Sequence, residues 1–317
     1  VSTNPAPTGP HTAGSPGPAG PASSAAATPA LTEGQASRPP GMLRRVIAQP
    51  QARIGAVLAG IVVLLALAGP LLLPWATGYS STDFAGRPFQ PDGVLGTDNL
   101  GRDVLSRFLD GGTRLLLYAA LATLLGLVLG TVLGMLAAYR GGRIDSVIMR
   151  GNDVLLAIPQ LVFALLAITV LGPQGWVLVT VIGVTHAPRI ARVARAATAS
   201  VINEDYIKAA QMYAVPQWKI LFSEVLPNIT GPLMVELGLR MTYSIGAVAS
   251  LSFLGLGMQP PTADWGLMIN ENRIALVLQP WGVILPVIAI ALLTVGINLI
   301  ADSLARASAT LNVEDKE

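Results

Sequence analysis

The chain has no cysteine and only two histidines, His11 and His186. This removes disulfide frameworks, thiol nucleophiles and cysteine-based zinc sites, and leaves almost no imidazole for metal chemistry. Charge is scarce as well: 12% of residues are charged, against roughly 25% in a soluble globular domain. With a net charge of only +2 and basic residues scattered at segment ends, there is no basic stripe for a nucleic-acid partner. No Gly-x-x-x-x-Gly-Lys-Ser/Thr phosphate loop occurs, and Gly-Lys is missing even as a dipeptide, so the chain is not itself an ATPase. Ser/His/Asp, His-Glu-x-x-His and paired-carboxylate arrangements are missing too, which argues against a membrane enzyme. No short apolar core with a small-residue cleavage site opens the chain. The first apolar span is therefore expected to act as the membrane anchor.

What the chain has in quantity is apolar residues, 52% of the total, and they come in long blocks. A helix through a hydrocarbon core about 30 Å thick needs about 20 mainly apolar residues. Six blocks qualify, at about Ile54–Leu73, Leu115–Tyr139, Val154–Leu171, Trp176–Ile190, Gly231–Leu254 and Trp281–Ile300. The expected fold is an all-α membrane protein of six transmembrane helices, with both termini on one side. Fourteen basic residues fall in the termini and the loops on that side, including Arg44, Arg140, Arg192 and Lys219, against five (Arg87, Arg102, Arg107, Arg114 and Arg273) on the other. Positive charge favours the cytoplasmic side, so both termini are expected there. Residues 1–40 carry nine prolines among Ala, Gly, Ser and Thr and are expected to be a disordered tail, because they cannot bury enough apolar surface to offset ordering.

Gly126, Gly130 and Gly134 repeat at four-residue intervals, which bares one helix face for close approach of a subunit or of another helix of the same chain. Pro159 and Pro188 are expected to interrupt or end helices. From Asp98 to Asp110 the apolar spacing suggests an amphipathic helix, ended by Gly111-Gly112 and lying near the outer surface. Asp98, Arg102 and Asp103 would either bind a partner or pin this turn. Glu236 and Arg240 sit one helical turn apart inside the fifth span, either lining a translocation path or forming a structural pair.

The segment from Arg189 to Asn228 is long for a connection between packed helices. Within it Asn203 reads as an N-cap, Glu204 and Asp205 as the acidic first turn, and Pro216 as the stop. The helix between them, about three turns long, carries Tyr206, Ala209, Ala210 and Tyr213 on one face. Its low relief suits a groove on another protein, and an interfacial helix lying on the membrane is the alternative.

Lys208-Ala209-Ala210, three residues, Ala214, nine residues and Glu224-Val225-Leu226-Pro227 resemble the EAA loop of importer permeases of the ATP-binding-cassette superfamily. Lys208, Ala214 and Glu224 replace that motif's Glu, Gly and Ile. Two more stretches resemble the C-type permeases of dipeptide and oligopeptide importers in the peptide/nickel family. The first is Leu95-Gly96-Thr97-Asp98-Asn99-Leu100-Gly101-Arg102-Asp103; the second runs from Leu251 through Gly255, Gly257, Pro260 and Pro261 to Asp264-Trp265-Gly266. The glycines and prolines of the second break a helix, to shape a gate or to close a loop.

The resemblance implies a type I importer permease fold in a bacterial inner membrane, with a cytoplasmic coupling helix formed by Tyr206, Lys208, Ala209, Ala210, Tyr213 and Ala214 and followed by Leu226 and Pro227. It divides the chain into a tail (1–40), a first transmembrane helix with an outer amphipathic segment (41–112), a permease core with the EAA-like loop at about 200–228 (113–310), and a short cytoplasmic tail (311–317). The partners it implies are a homologous second permease, two ATPase subunits holding ATP and Mg, and an extracellular substrate-binding protein, with no cofactor on this chain. A nickel or glutathione importer of the same family is the alternative, and a proton-linked secondary transporter using Glu236 a more distant one, since no internal inverted repeat is evident.

Overall fold

The structure is a computed structural model that describes residues 46–314. The expected disordered tail at 1–40 and the last three residues lie outside the described residues. Among the described residues the chain is helical, with no strand beyond the isolated bridges Phe84–Arg102 and Thr97–Asp103.

The helices are α1 (Pro50–Ala76), α2 (Val104–Arg140), α3 (Gly142–Ala157), α4 (Gln160–Leu171), α5 (Gly175–Val201), α6 (Asp205–Met212), α7 (Gln217–Asn228), α8 (Thr230–Phe253), α9 (Trp265–Asn272) and α10 (Trp281–Glu314). α1, α2, α5 and α10 are each long and apolar enough to cross a membrane. The bent pairs α3–α4 and α7–α8 raise the number of spans to six when each counts as one. Six spans are thus available, with two differences from expectation. The third is broken at Pro159, where α3 and α4 meet at 84°, because proline removes a helix hydrogen bond and restricts the residue before it. The fourth does not end at Pro188 but runs through it to Val201.

α2 is the axis of the bundle, packing chiefly on α5 and also on α1 and α8. It starts where Asp103 caps it, accepting from the Ser106 amide at 2.8 Å, and ends at Gly141 with φ +60°. The amphipathic helix expected from Asp98 to Asp110 does not form. Asp98 to Asp103 make a turn, and α2 passes helically through Gly111 and Gly112. Those glycines make room and do not terminate: a Cβ at Gly111 would lie 3.2 Å from the Trp265 ring, and one at Gly112 would lie 2.7 Å from the Ala66 Cβ.

The Gly126/Gly130/Gly134 face is an intrachain seam. A Cβ at Gly126 would lie 2.8 Å from the Gly183 carbonyl, one at Gly130 would lie 2.6 Å from that of Ala187, and one at Gly134 would lie 2.5 Å from that of Ala191. α2 and α5 therefore touch backbone to backbone, as small-residue seams allow where hydrophobic driving force between helices is lacking.

Candidate functional site

The two ends of α2 carry the segments that the sequence singles out. Just beyond its C-terminus lies the α6–α7 loop, tied to α2 by Arg140, whose Nε donates to the Gln217 side chain at 2.9 Å. This loop is shorter than expected, because residues 189–201 belong to α5. α6 has only eight residues, about two turns, and not three. Its N-cap is Glu204 without a side-chain bond; the Asn203 amide turns back onto the Ala199 carbonyl at 2.9 Å. The helix stops at Met212, ahead of the expected break before Pro216. Ala214 then adopts φ +54°, a left-handed conformation that costs a residue with a Cβ about 1–2 kcal/mol. This is the position at which the EAA motif has glycine.

One side chain anchors α6. Ile207 is fully buried in an apolar cluster with Met135 of α2, Ile190 of α5, Ile220 and Val225 of α7, and Leu233 of α8. Burying such a side chain contributes about 1.5–3 kcal/mol. Ala210 leans half-buried toward the same cluster, so the outward face is Tyr206, Ala209, Met212 and Tyr213, without Ala210. Tyr213 is 85% exposed and Met212 87%. Lys208 is also exposed and pairs with Asp205 at 3.0 Å, a surface contact of little energy. The Asn228 amide donates to the Tyr206 hydroxyl at 3.1 Å, joining α6 to the end of α7. Leu226 packs half-buried against the cluster, whereas Pro227 is exposed. Between them and Lys219, α7 contains a π-helical turn at Ile220–Val225.

At the other end of α2, three buried charges and the nearly buried Glu271 lie together. Asp98 receives Arg102 at 2.7 Å and Arg107 at 2.6 Å, and Glu271 of α9 receives Arg107 at 2.5 Å and Arg102 at 3.3 Å. Arg107 and Asp98 have no exposed surface. Buried ions persist only when paired and hydrogen-bonded, and here two arginines balance two carboxylates. Thr97 is buried and its hydroxyl donates to the Arg87 carbonyl at 2.6 Å. Gly96 and Gly101 hold φ of +81° and +82°, so these turns are open to glycine and strained for other residues. The Trp265 indole donates to the Phe108 carbonyl at 2.8 Å and stacks on the Phe108 ring at 5.4 Å. Gly255 has φ +77°, Gly257 lies against Ser252, and Pro260-Pro261 is cis, so the glycine–proline stretch closes the turn between α8 and α9. Of the two roles weighed for Asp98, Arg102 and Asp103, their burial accords with pinning. Glu271, Asn272 and Gln279, which complete this end, carry no local motif, and only their polarity beside apolar segments singles them out.

Between the ends, Glu236 and Arg240 pair at 2.9 Å, both nearly buried, with Arg240 over the Tyr243 ring at 5.0 Å. One turn on, the Ser244 hydroxyl lies 2.8 Å from that of Thr123 and 3.0 Å from His186 Nε2, bridging α8 to α2 and α5. Among the described residues no group of three or more His, Asp or Glu side chains suited to a metal occurs.

The family model of the binding-protein-dependent transport system inner membrane component matches residues 130–310, from mid-α2 through α10. The chain belongs to this family. Among relatives of this transport component, the glutathione transport system permease protein of Pectobacterium atrosepticum is 38% identical over 255 residues, covering 78% of this chain and 84% of its own. The di/tripeptide transport system permease protein of Pseudomonas aeruginosa is 36% identical, covering 77% and 82%, and the oligopeptide transport system permease protein of Bacillus subtilis is 31% identical, covering 80% and 83%. The chain is thus a multi-pass inner-membrane permease, and the α6–α7 loop falls within the matched region.

Proposed function

We propose that this permease is the transmembrane subunit of an ATP-binding-cassette importer for di- or oligopeptides, forming half of the translocation path. The observation that carries the reading is α6: a short helix held by one buried isoleucine, with an outward face of Tyr206, Ala209, Met212 and Tyr213 left open. Large apolar side chains exposed outside the spans mark contact surfaces. The face is offered to an ATPase subunit; two such subunits hold ATP and Mg and perform the hydrolysis, while this chain is non-catalytic and carries no cofactor. A homologous second permease and an external binding protein complete the assembly, surrounded by membrane lipid and without nucleic acid. Both termini and α6 face the cytoplasm, following the basic-residue asymmetry.

In this mechanism, closure of the ATPases displaces α6. Because Ile207 shares its apolar cluster with α2, α5 and α8, the displacement is carried to three spans at once and shifts them between inward-open and outward-open states. Only contacts that differ between those states carry the coupling. Glu236 and Arg240 are assigned to the translocation path, where paired charge at membrane depth meets peptide termini.

The test is co-purification of an ATPase subunit from native membranes, with intact chain and with Ala209→Glu. Ala209 is exposed, so the variant keeps the fold; it should lose the ATPase and ATP-driven dipeptide uptake. An intact chain that emerges alone and moves peptide without ATP overturns the proposal. Likeness to the glutathione permease supports a second reading, in which glutathione is the cargo; competition between labelled dipeptide, glutathione and nickel in the reconstituted complex separates the three. A proton-linked secondary transporter using Glu236 is the more distant reading, and peptide uptake that proceeds without ATP would favour it.

A further inference from the structure

Two cavities flank α2 and share its side chains Val128 and Val132. One, of about 250 Å³, lies toward α3 and α5 and is lined by Asn152, Leu155, Val184 and Ala187. The other, of about 320 Å³, lies toward α7 and α8 and includes Thr131, Phe222 and Leu226. Together they form a crevice across α2 whose walls are almost wholly aliphatic. Each half contains one polar side chain whose polar atom has no partner: Asn152 Nδ2 and Thr131 Oγ1. Asn152 is 4% exposed and Thr131 6%. An unpaired buried donor of this kind costs about 1–3 kcal/mol, so both atoms call for a ligand that brings an acceptor.

We propose that this crevice binds an anionic phospholipid, its acyl chain against Val128 and Val132 and an ester carbonyl accepting from Asn152. A peptide is a poor occupant, because each of its residues brings a backbone donor and acceptor that need partners, and the only polar side chains lining the crevice are Asn152, Thr131 and Thr230. An acyl chain needs none, and its ester supplies the acceptor. Charge on the adjoining elements selects the headgroup. On α3 and α5, Asp153 is taken up by Arg192 at 2.5 Å and Asp145 by Arg195 at 2.5 Å. Arg143, Arg150 and Arg189 are exposed, and among the described residues no ion pair involves them. Three positive charges are thus in surplus on α3 and α5, the helices that carry Asn152 and Ala187. The exposed face of α3 reads Arg143, Val147, Arg150, Val154, so its basic side chains stand among apolar ones and extend toward lipid headgroups from an apolar surface. With the orientation proposed above, this end faces the cytoplasmic leaflet, which attracts basic segments through its anionic lipids.

The test uses the full chain, delipidated in detergent, with phosphatidylglycerol as probe and native mass spectrometry as readout. The chain should retain one phosphatidylglycerol. Val132→Trp, which fills the crevice, and Asn152→Leu, which removes the amide at similar volume, should each lower retention at least about fivefold. Arg150→Gln with Arg189→Gln should lower retention of phosphatidylglycerol but not of phosphatidylethanolamine. A photo-crosslinker at Val128 in the assembled, membrane-embedded complex should capture lipid, a readout independent of how the other variants fold. Unchanged retention in both Val132→Trp and Asn152→Leu overturns the proposal. So does a Val128 crosslink to the second permease, which makes the crevice a subunit seam, or to substrate peptide. Retention by the isolated chain requires neither ATPase nor peptide, so its failure is distinguishable from failure of the importer reading.

Discussion

At the start of α2, Asp98, Arg102, Arg107 and the nearly buried Glu271 are mutually paired, whereas beyond its far end Met212, Tyr213 and Trp218 stand mostly exposed. The same helix joins a region built to hold one geometry to a region whose large side chains stand in the open. Charges paired out of water tolerate no rearrangement, because any lost partner leaves an uncompensated ion. A helix whose one fully buried side chain is Ile207 keeps its position through burial while Tyr206, Ala209, Met212 and Tyr213 stay exposed.

The largest expected effect falls on the paired end. Asp98→Asn should destabilise the chain by about 3–5 kcal/mol, since two arginines lose a shared counter-charge; thermal unfolding in detergent reads it, and a loss below 1 kcal/mol would break the contrast between the ends. Gly130→Ala should cost about 1–3 kcal/mol by forcing α2 off α5, without affecting either end directly. Asp264 sharpens the comparison through pH. Burial pushes its carboxyl up from 3.8 to about 6, so the stability it permits is complete below its ordinary value and is lost as pH rises through about 6. Asp264→Asn, which still caps α9 through the Leu267 amide, should flatten the decline between pH 4 and 7, an effect of order 2 kcal/mol. Ala214→Gly should raise stability by about 1 kcal/mol by relieving the left-handed turn after α6. Ala209→Glu should leave stability within about 0.5 kcal/mol while abolishing ATPase co-purification, and a large stability loss there would show that the outer face of α6 is structural.

The spans were legible because bilayer thickness imposes a length on apolar runs that no packing detail alters, and the EAA-like loop because its alanines and Leu-Pro keep their register. Misreadings occurred where a distant residue decides local structure. Gly111-Gly112 reads as a helix stop, but Trp265 fills the space the glycines leave. Asn203 is a local exception: it reads as a cap, but α6 begins one residue later, with Glu204 at its N-cap, and the Asn203 amide donates back to Ala199 of α5. Asp98 and Arg102 were visible as a motif, whereas their partner Glu271 lies far along the chain and has no signature of its own.

By itself, the sequence determined that this chain is helical and crosses a membrane, because composition and run length alone decide these properties. Only the tertiary structure decided that the glycine face of α2 meets α5, that Asp98, Arg102 and Arg107 join Glu271 in one ion-pair cluster, and which side of α6 is open. Those outcomes depend on which distant side chains are brought within a few ångströms of one another, and local pattern does not encode such distances.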